Sequence, residues 1–343
     1  MGETILKYEE LTALIAQIFR KAGMLAGPAA AMAGVIAAGE RDGAKSHGIY
    51  RIEGCLRTIK AGKVAPGALP EIASDDGTAI VRVDGKGGFA PPAFALGAPA
   101  LAERARRLGV AALVINDCTH FSALWHEVET MNALGLSAMA MCPSYATVAP
   151  AGGTAPLLGT NPVAFGWPRQ GKPPYVFDFA TSVAARGEIE LHRRAGKPLP
   201  EGWALDRDGQ PTTDPDAALA GAMLPFGGHK GSAISTMIEL LAGIMIGDLT
   251  SQGALDQLGT TNFVPMHGEL VLAFSPERFA AGRPGNPMAR AEALFEAILG
   301  QGARLPGQRR FKARAQAEAK GILLTEAEMA QLAQLGEAGL DAV

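Results

Sequence analysis

Three side chains close together in the chain are suited to proton and anion chemistry. They are Ser46, His47 and Arg51, in the run Arg41-Asp42-Gly43-Ala44-Lys45-Ser46-His47-Gly48-Ile49-Tyr50-Arg51. An imidazole passes a proton near neutral pH, and a guanidinium holds a carboxylate through two parallel hydrogen bonds. His47 and Arg51 are four apart, so on a helix they share a face. Together they suit a reaction on a small carboxylate that receives a proton beside its acid group. The plainer reading is a helix end with a capping Ser and a solvated Arg, broken by Gly43 and Gly48.

Two further stretches suit an anionic ligand. In Phe226-Gly227-Gly228-His229-Lys230-Gly231 the glycines expose backbone N–H groups, a helix behind points its positive end at them, and His229 and Lys230 add donors. In Pro306-Gly307-Gln308-Arg309-Arg310 a turn precedes paired arginines that could clamp a 2′-phosphate. Each also reads as a helix start or a solvated basic loop. The nearest approach to G-x-G-x-x-G is Gly85-Lys86-Gly87-Gly88, which lacks the third glycine and is followed by Pro91 and Pro92. It reads as a turn.

The elements that must carry these groups begin with helices. Residues 7–23 are amphipathic, with Leu11, Leu14, Ile15 and Ile18 on one side. A second helix opens at Gly27-Pro28 and runs towards Glu40, and a third spans Arg51 to about Ala61. Strands then alternate with helices. Strands are expected at 79–83, 110–115, 136–141, 162–167, 174–179 and, last, 269–274, with the pair around Gln170-Gly171-Lys172-Pro173 forming a hairpin. Helices are expected at 92–108, 122–134, 182–195 and 230–246, and a polar loop at 196–216. The C-terminal end is helical, with capping-box spacing at Thr325-Glu326-Ala327-Glu328. The alternation indicates an α/β layer architecture. Three regions are drawn: helical residues 1–70 carrying Ser46-His47, an α/β region at 71–300, and a loop with helices at 301–343.

At 343 residues, 48% hydrophobic and 19% charged, the chain can build a large core in two domains or one large one. A net charge of −3 leaves no footprint for nucleic acid or an anionic membrane. No apolar run reaches the ~18 residues of a membrane span, and the first ten residues lack the apolar centre of a signal peptide. Cys55, Cys118 and Cys142 form no CxxC pair, no HExxH occurs, and His120 and His126 are six apart. Neither a disulfide framework nor a metal site is expected, and a reducing cytoplasm is.

Taken in order, several motifs make the chain resemble the type-2 malate/L-lactate dehydrogenase family. They are Ser46-His47-Gly48 with Arg51; Pro150 to Gly153; Gly159-Thr160-Asn161-Pro162; Asp178-Phe179-Ala180-Thr181-Ser182; Pro211-Thr212-Thr213-Asp214-Pro215; and Gly228-His229-Lys230-Gly231. Within the family, His120-Phe121-Ser122-Ala123-Leu124-Trp125 and Leu224 to Ala233 resemble the reductases of cyclic imino acids. Those convert Δ1-piperideine-2-carboxylate to L-pipecolate and Δ1-pyrroline-2-carboxylate to L-proline.

The resemblance implies a fold unlike the Rossmann type, with a mixed, largely antiparallel sheet flanked by helices. It implies NADPH as cofactor, with NADH weaker, a small cyclic imino acid as substrate, and a homodimer. Ser46 would belong to a relay, His47 would donate the proton, and Glu188 would complete the relay where the imine reductases carry aspartate. Arg51 and Thr160 would hold substrate, with Arg186 and Gly187 beside it. His120, Phe121, Ser122, Ala123 and Leu124 would line the cofactor, as would Asp178, Phe179, Ala180, His229 and Lys230. So would the segment Leu305-Pro306-Gly307-Gln308-Arg309-Arg310-Phe311. The alternative within the family is an NAD(P)-dependent 2-hydroxy-acid dehydrogenase acting on malate, lactate or ureidoglycolate. An acidic group at 188, where malate-type relatives often carry lysine, favours the imine reductases.

Overall fold

The computed structural model describes residues 3–74 and 77–343. The chain opens with β1 (Glu3–Leu6), α1 (Tyr8–Lys21), α2 (Ala26–Arg41), a 3-10 turn at Lys45–His47 and α3 (Tyr50–Lys60). Then come β2 (Glu71–Ser74), β3 (Ile80–Phe89), α4 (Ala90–Leu108), β4 (Val110–Thr119), α5 (Trp125–Ala133), β5 (Ser137–Met141), β6 (Val163–Trp167) and β7 (Tyr175–Phe179). Next are α6 (Arg186–Arg194), β8 (Ala204–Leu205), β9 (Pro211–Thr212), α7 (Pro215–Ala220), β10 (Ala222–Met223), α8 (His229–Glu239) and α9 (Ser251–Leu258). The chain closes with β11 (Glu269–Phe274), α10 (Pro276–Phe279), α11 (Pro287–Gly300), α12 (Gln308–Lys320), β12 (Ile322–Thr325) and α13 (Glu326–Ala338).

The main sheet has seven strands in the order β2-β3-β4-β11-β5-β6-β7. Only β3 and β4 run parallel, and every other neighbouring pair is antiparallel. The expectation of a mixed, largely antiparallel sheet is met. Alternation along the strands gives the sheet two apolar faces. On one, Val81, Val83, Leu113, Ile115, Ala138 and Val271 pack under Phe94 and Leu101 of α4 and Val128 and Met131 of α5. On the other, Val114, Met141, Val163 and Leu270 receive Ile238 of α8 and the π-helical turn Leu240–Ile244 behind it.

A second core lies under the N-terminal helices. Leu11, Ile15, Ile18 and Phe19 of α1 meet Met32 and Ile36 of α2, and Ile52 and Leu56 of α3. Ile322 and Leu324 of β12 and Leu332 and Leu335 of α13 complete it, so the two ends of the chain share one interior. β1 pairs antiparallel with β12, Glu3 opposite Thr325 and Leu6 opposite Ile322.

Several boundaries differ from the sequence reading. Gly85–Gly88 is not a terminal turn but lies inside β3, as a bulge in its pairing with β4 where Lys86 and Gly87 take φ of 54° and 70°. α4 opens at Ala90 with Pro91 and Pro92 in its first turn, where a missing N–H costs nothing. Helices expected from 122 and 182 begin at Trp125 and Arg186: Asp178 of β7 accepts from the Trp125 N–H, and ahead of α6 the Val183 N–H bonds the Leu224 carbonyl just past β10. Loop 196–216 contains β8 and β9, and 269–274 is not the last strand, since β12 follows. β12 was hidden because its four residues alternate too briefly to be told from the helices on either side.

Asp42, just past the end of α2, is buried and joins three parts of the chain. It accepts from Arg41 Nε (2.8 Å), from Arg310 Nη1 (2.9 Å) and from Arg314 Nε (2.9 Å), both of the latter on α12. Arg314 and Arg310 also bond Glu129 of α5. Burial raises the Asp42 pKa, and the bonds from Arg314 and Arg41 outweigh it, leaving the carboxyl below its ordinary value of 3.8. Its contribution to stability is therefore whole above that pH and is lost as the pH falls through the depressed value. Asp42→Ala is expected to lower stability by about 3 kcal/mol at neutral pH, measured by urea unfolding, with the gap to wild type closing below pH 3.8.

Candidate active site

The catalytic turn is shaped by contacts that leave no room for other residues. A Cβ on Gly39 would sit 2.6 Å from the His47 carbonyl oxygen, and one on Gly48 would overlap the Glu40 carboxylate. Buried Glu40 accepts from the Ile49 backbone N–H (2.9 Å) and pairs with Lys45 Nζ (2.6 Å). The turn is thus clamped on both sides of Ser46-His47. His47 ends the 3-10 turn and Arg51 sits in α3, with Gly48 breaking the path between them. They are not on one helix, yet they touch.

Ser46 Oγ lies 3.1 Å from His47 Nδ1, and Arg51 Nη2 lies 3.3 Å from His47 Nε2. A guanidinium only donates, so Nε2 accepts and the ring proton stands on Nδ1, towards Ser46. Arg51 Nε also donates to the Ser46 carbonyl at 2.6 Å. Burial, then the Arg51 guanidinium and the His120 imidazole, push the His47 pKa down to about 3. The resting imidazole is neutral.

The segments singled out for a dinucleotide lie along β7. Asp178 Oδ2 accepts from the Trp125 N–H at 2.9 Å, fastening 120–124 to β7. Phe121 inserts into the core of the N-terminal helices and Leu124 into that of the sheet. The Phe179 ring meets Phe226 edge-on at 5.6 Å. Phe226 opens the Gly227-Gly228 turn (φ 56° and 61°), behind which His229 and Lys230 stand exposed at the start of α8. Gly307, at φ 80°, packs against Val176 of β7, where a Cβ would lie 3.0 Å from the Val176 carbonyl oxygen. A cavity of about 300 Å³ opens between Leu305–Lys312 and Arg169, Pro173 and Pro174. Exposed donors at a helix N-terminus, glycines in front of them and a basic cavity beyond fit an extended anionic ligand. A larger cavity of about 660 Å³, beside Met139, Phe165, Trp167 and Phe274, includes none of these residues.

Thr160 joins this group through Thr181, whose N–H and Oγ1 donate to the Thr160 carbonyl at 2.8 and 3.1 Å. The next residue, Asn161, is fully buried at φ 31°. It donates to Ser235 Oγ (2.9 Å) and Glu239 Oε1 (2.8 Å), and accepts from Ser251 Oγ (2.9 Å). Three bonds hold a backbone geometry that an L-residue avoids, and so fix Thr160.

The paired-arginine clamp separates. Arg310 is engaged with Asp42 and Glu129 and stacks 4.3 Å over Trp125, whereas Arg309 is exposed and has no partner among the described residues. Arg186 donates to Thr261 Oγ1 at 3.2 Å, and Tyr145 OH to the Thr261 carbonyl at 3.3 Å. Burial raises the Tyr145 pKa against the pull of Arg186 and Arg51. Tyr145 and Thr261 were not singled out from the sequence, and no motif marks them. Gly187 has open space where a Cβ would stand. Glu188 is exposed in the first turn of α6 and makes no ion pair or hydrogen bond through its side chain among the described residues, so it is not joined to His47 here.

Comparison with known proteins matches residues 6–333 to the malate/L-lactate dehydrogenase family. The chain is 72% identical, over 99% of each chain, to Δ1-pyrroline-2-carboxylate reductase of Agrobacterium fabrum. It is 52% identical to the Δ1-pyrroline-2-carboxylate/Δ1-piperideine-2-carboxylate reductase of Pseudomonas aeruginosa, over 96% of this chain and 98% of that one. Among solved structures, the Δ1-piperideine-2-carboxylate reductase of Pseudomonas syringae superposes with a TM-score of 0.92 at 42% identity, over 97% of this chain and 99% of that one. A likeness of this extent, on a non-Rossmann sheet carrying the Ser46–His47–Arg51 cluster, places the chain in the malate/L-lactate dehydrogenase family of oxidoreductases.

Proposed function

We propose that this protein reduces Δ1-pyrroline-2-carboxylate to L-proline and Δ1-piperideine-2-carboxylate to L-pipecolate, with NADPH as donor. The near-full-length likeness to reductases of these imines carries the reading. A nicotinamide cofactor follows from the family; NADPH, when bound, would supply the hydride for the imine carbon.

The chain's own residues handle the carboxylate and the proton. Arg51 takes the substrate carboxylate in a two-pronged contact and so leaves His47 Nε2, to which it now donates. Its positive charge is then countered, and the His47 pKa rises from its resting value of about 3. Nε2 takes a proton from water and passes it to the imine nitrogen, and the ring returns to its neutral form. Ser46 Oγ accepts from Nδ1 and keeps the ring aimed. For Glu188 to complete the relay and stabilise the imidazolium, it must move to His47 from its exposed place in the first turn of α6. With the carboxylate fixed, the substrate ring presents one face to the hydride and the L-product results. Thr160, Arg186 and Tyr145 border the substrate. A homodimer is part of the proposal, supported by exposed Leu240, Ile244 and Met245 on the π-helical end of α8.

An absorbance assay at the NADPH band, comparing the two cyclic imines with pyruvate and oxaloacetate, is expected to favour the imines. Preference for a keto acid overturns the substrate assignment. His47→Ala is expected to lower kcat by roughly 10²–10⁴ with little change in NADPH affinity, and Arg51→Ala to act mainly on KM. Arg51→Met, which removes a positive neighbour, raises the His47 pKa above about 3, as read by NMR titration of the imidazole. Arg309→Ala is expected to reduce the preference for NADPH over NADH by roughly 10-fold or more. An unaltered ratio moves recognition of the 2′-phosphate to another residue.

A further inference from the structure

The interior holds three ionisable side chains that the reaction above does not use as acid or base. His120 follows β4, Glu127 is in α5 and Glu269 opens β11. They are 4%, 1% and 0% exposed. Their nitrogen and oxygen ligand atoms all lie within 4.8 Å of one another. His120 Nε2 is 3.5 Å from Glu269 Oε2, a charge contact that makes no hydrogen bond. Nε2 of His120, Oε2 of Glu127 and both carboxylate oxygens of Glu269 have no hydrogen-bond partner among the described residues. Buried polar atoms are almost always paired, so unpaired atoms on three side chains this close together call for something between them.

We infer that His120, Glu127 and Glu269 form a binding site for a first-row divalent metal ion of the manganese, cobalt or zinc type. One imidazole with two carboxylates is a borderline N/O ligand set, which suits these ions better than calcium or magnesium. Ligand atoms held tetrahedrally at roughly 2.0–2.2 Å from an ion stand about 3.4 Å apart, close to the 3.5 Å between His120 Nε2 and Glu269 Oε2. A divalent charge cancels the two buried carboxylates, which otherwise face each other at short range. On the far side of the ring, His120 Nδ1 faces Cys142 Sγ at 3.9 Å. A neutral imidazole with its proton there turns its Nε2 lone pair to the ion. Burial and Glu269 keep Cys142 a thiol, so it does not compete as a thiolate ligand. The ion would pin the start of segment 120–124 to both α5 and the sheet.

The test uses the untagged full-length protein, stripped with chelator and titrated with cobalt(II) alone. Uptake of one equivalent per chain, a ligand-field absorption band and a rise in Tm are expected. Glu269→Gln and Glu127→Gln, each checked for native circular dichroism, are expected to weaken cobalt binding by about 100-fold or more. Either variant suffices if the other does not fold. No saturable uptake of cobalt, manganese or zinc by the wild type overturns the inference. Uptake equally tight in the glutamine variants also overturns it, since the ion then binds elsewhere.

Discussion

Asp42 is the knot between the two halves of the site. It stands three residues before Lys45 of the catalytic turn and holds two arginines of α12, directly behind the segment that ends at Phe311. Those arginines reach on to Glu129 of α5, the helix that follows segment 120–124. Three guanidiniums against two carboxylates nearly balance in charge, and Arg310 adds stacking on Trp125 at 4.3 Å and Phe311 at 4.7 Å. A buried carboxylate is tolerable only when so fully bonded. The consequence is mechanical: the catalytic turn and the cofactor-side helix share one anchor, so neither shifts without the other.

The resting state of His47 follows from the same economy of space. Gly39, Gly48 and Glu40 press the turn into a shape that sets the imidazole between a hydroxyl and a guanidinium. With a cation at Nε2 and little water around it, the ring stays neutral. Protonation then depends on the arrival of an anion that draws Arg51 away. The proton is thus taken up only when there is a substrate to receive it.

The sequence carried the elements with long, regular patterns. Helix α1, helix α2, the β6–β7 hairpin and the capping box at Thr325 all lie where period and punctuation put them. The Ser46–His47–Arg51 trio was legible by residue type, although Gly48 defeats the shared helix face that suggested it. Short or interrupted elements were not legible: β12 has four residues, and β3 passes through two left-handed positions that resemble a turn. Contacts between distant segments left no trace at all. Nothing in the spacing of Arg309 and Arg310 says which is already taken by Asp42, and Tyr145 and Thr261 meet Arg186 only in the folded chain. His120, Glu127 and Glu269 likewise come from three elements with no signature spacing.

The pairing of β1 with β12 has a temporal meaning. Residues 3–6 find their strand partner only at 322–325, and Leu11, Ile15 and Phe19 share a core with Leu332 and Leu335. On the ribosome, α1 therefore emerges with an apolar face that cannot be fully covered until α13 has been made. The helices around the catalytic turn are made well before the strand and helix that seal them.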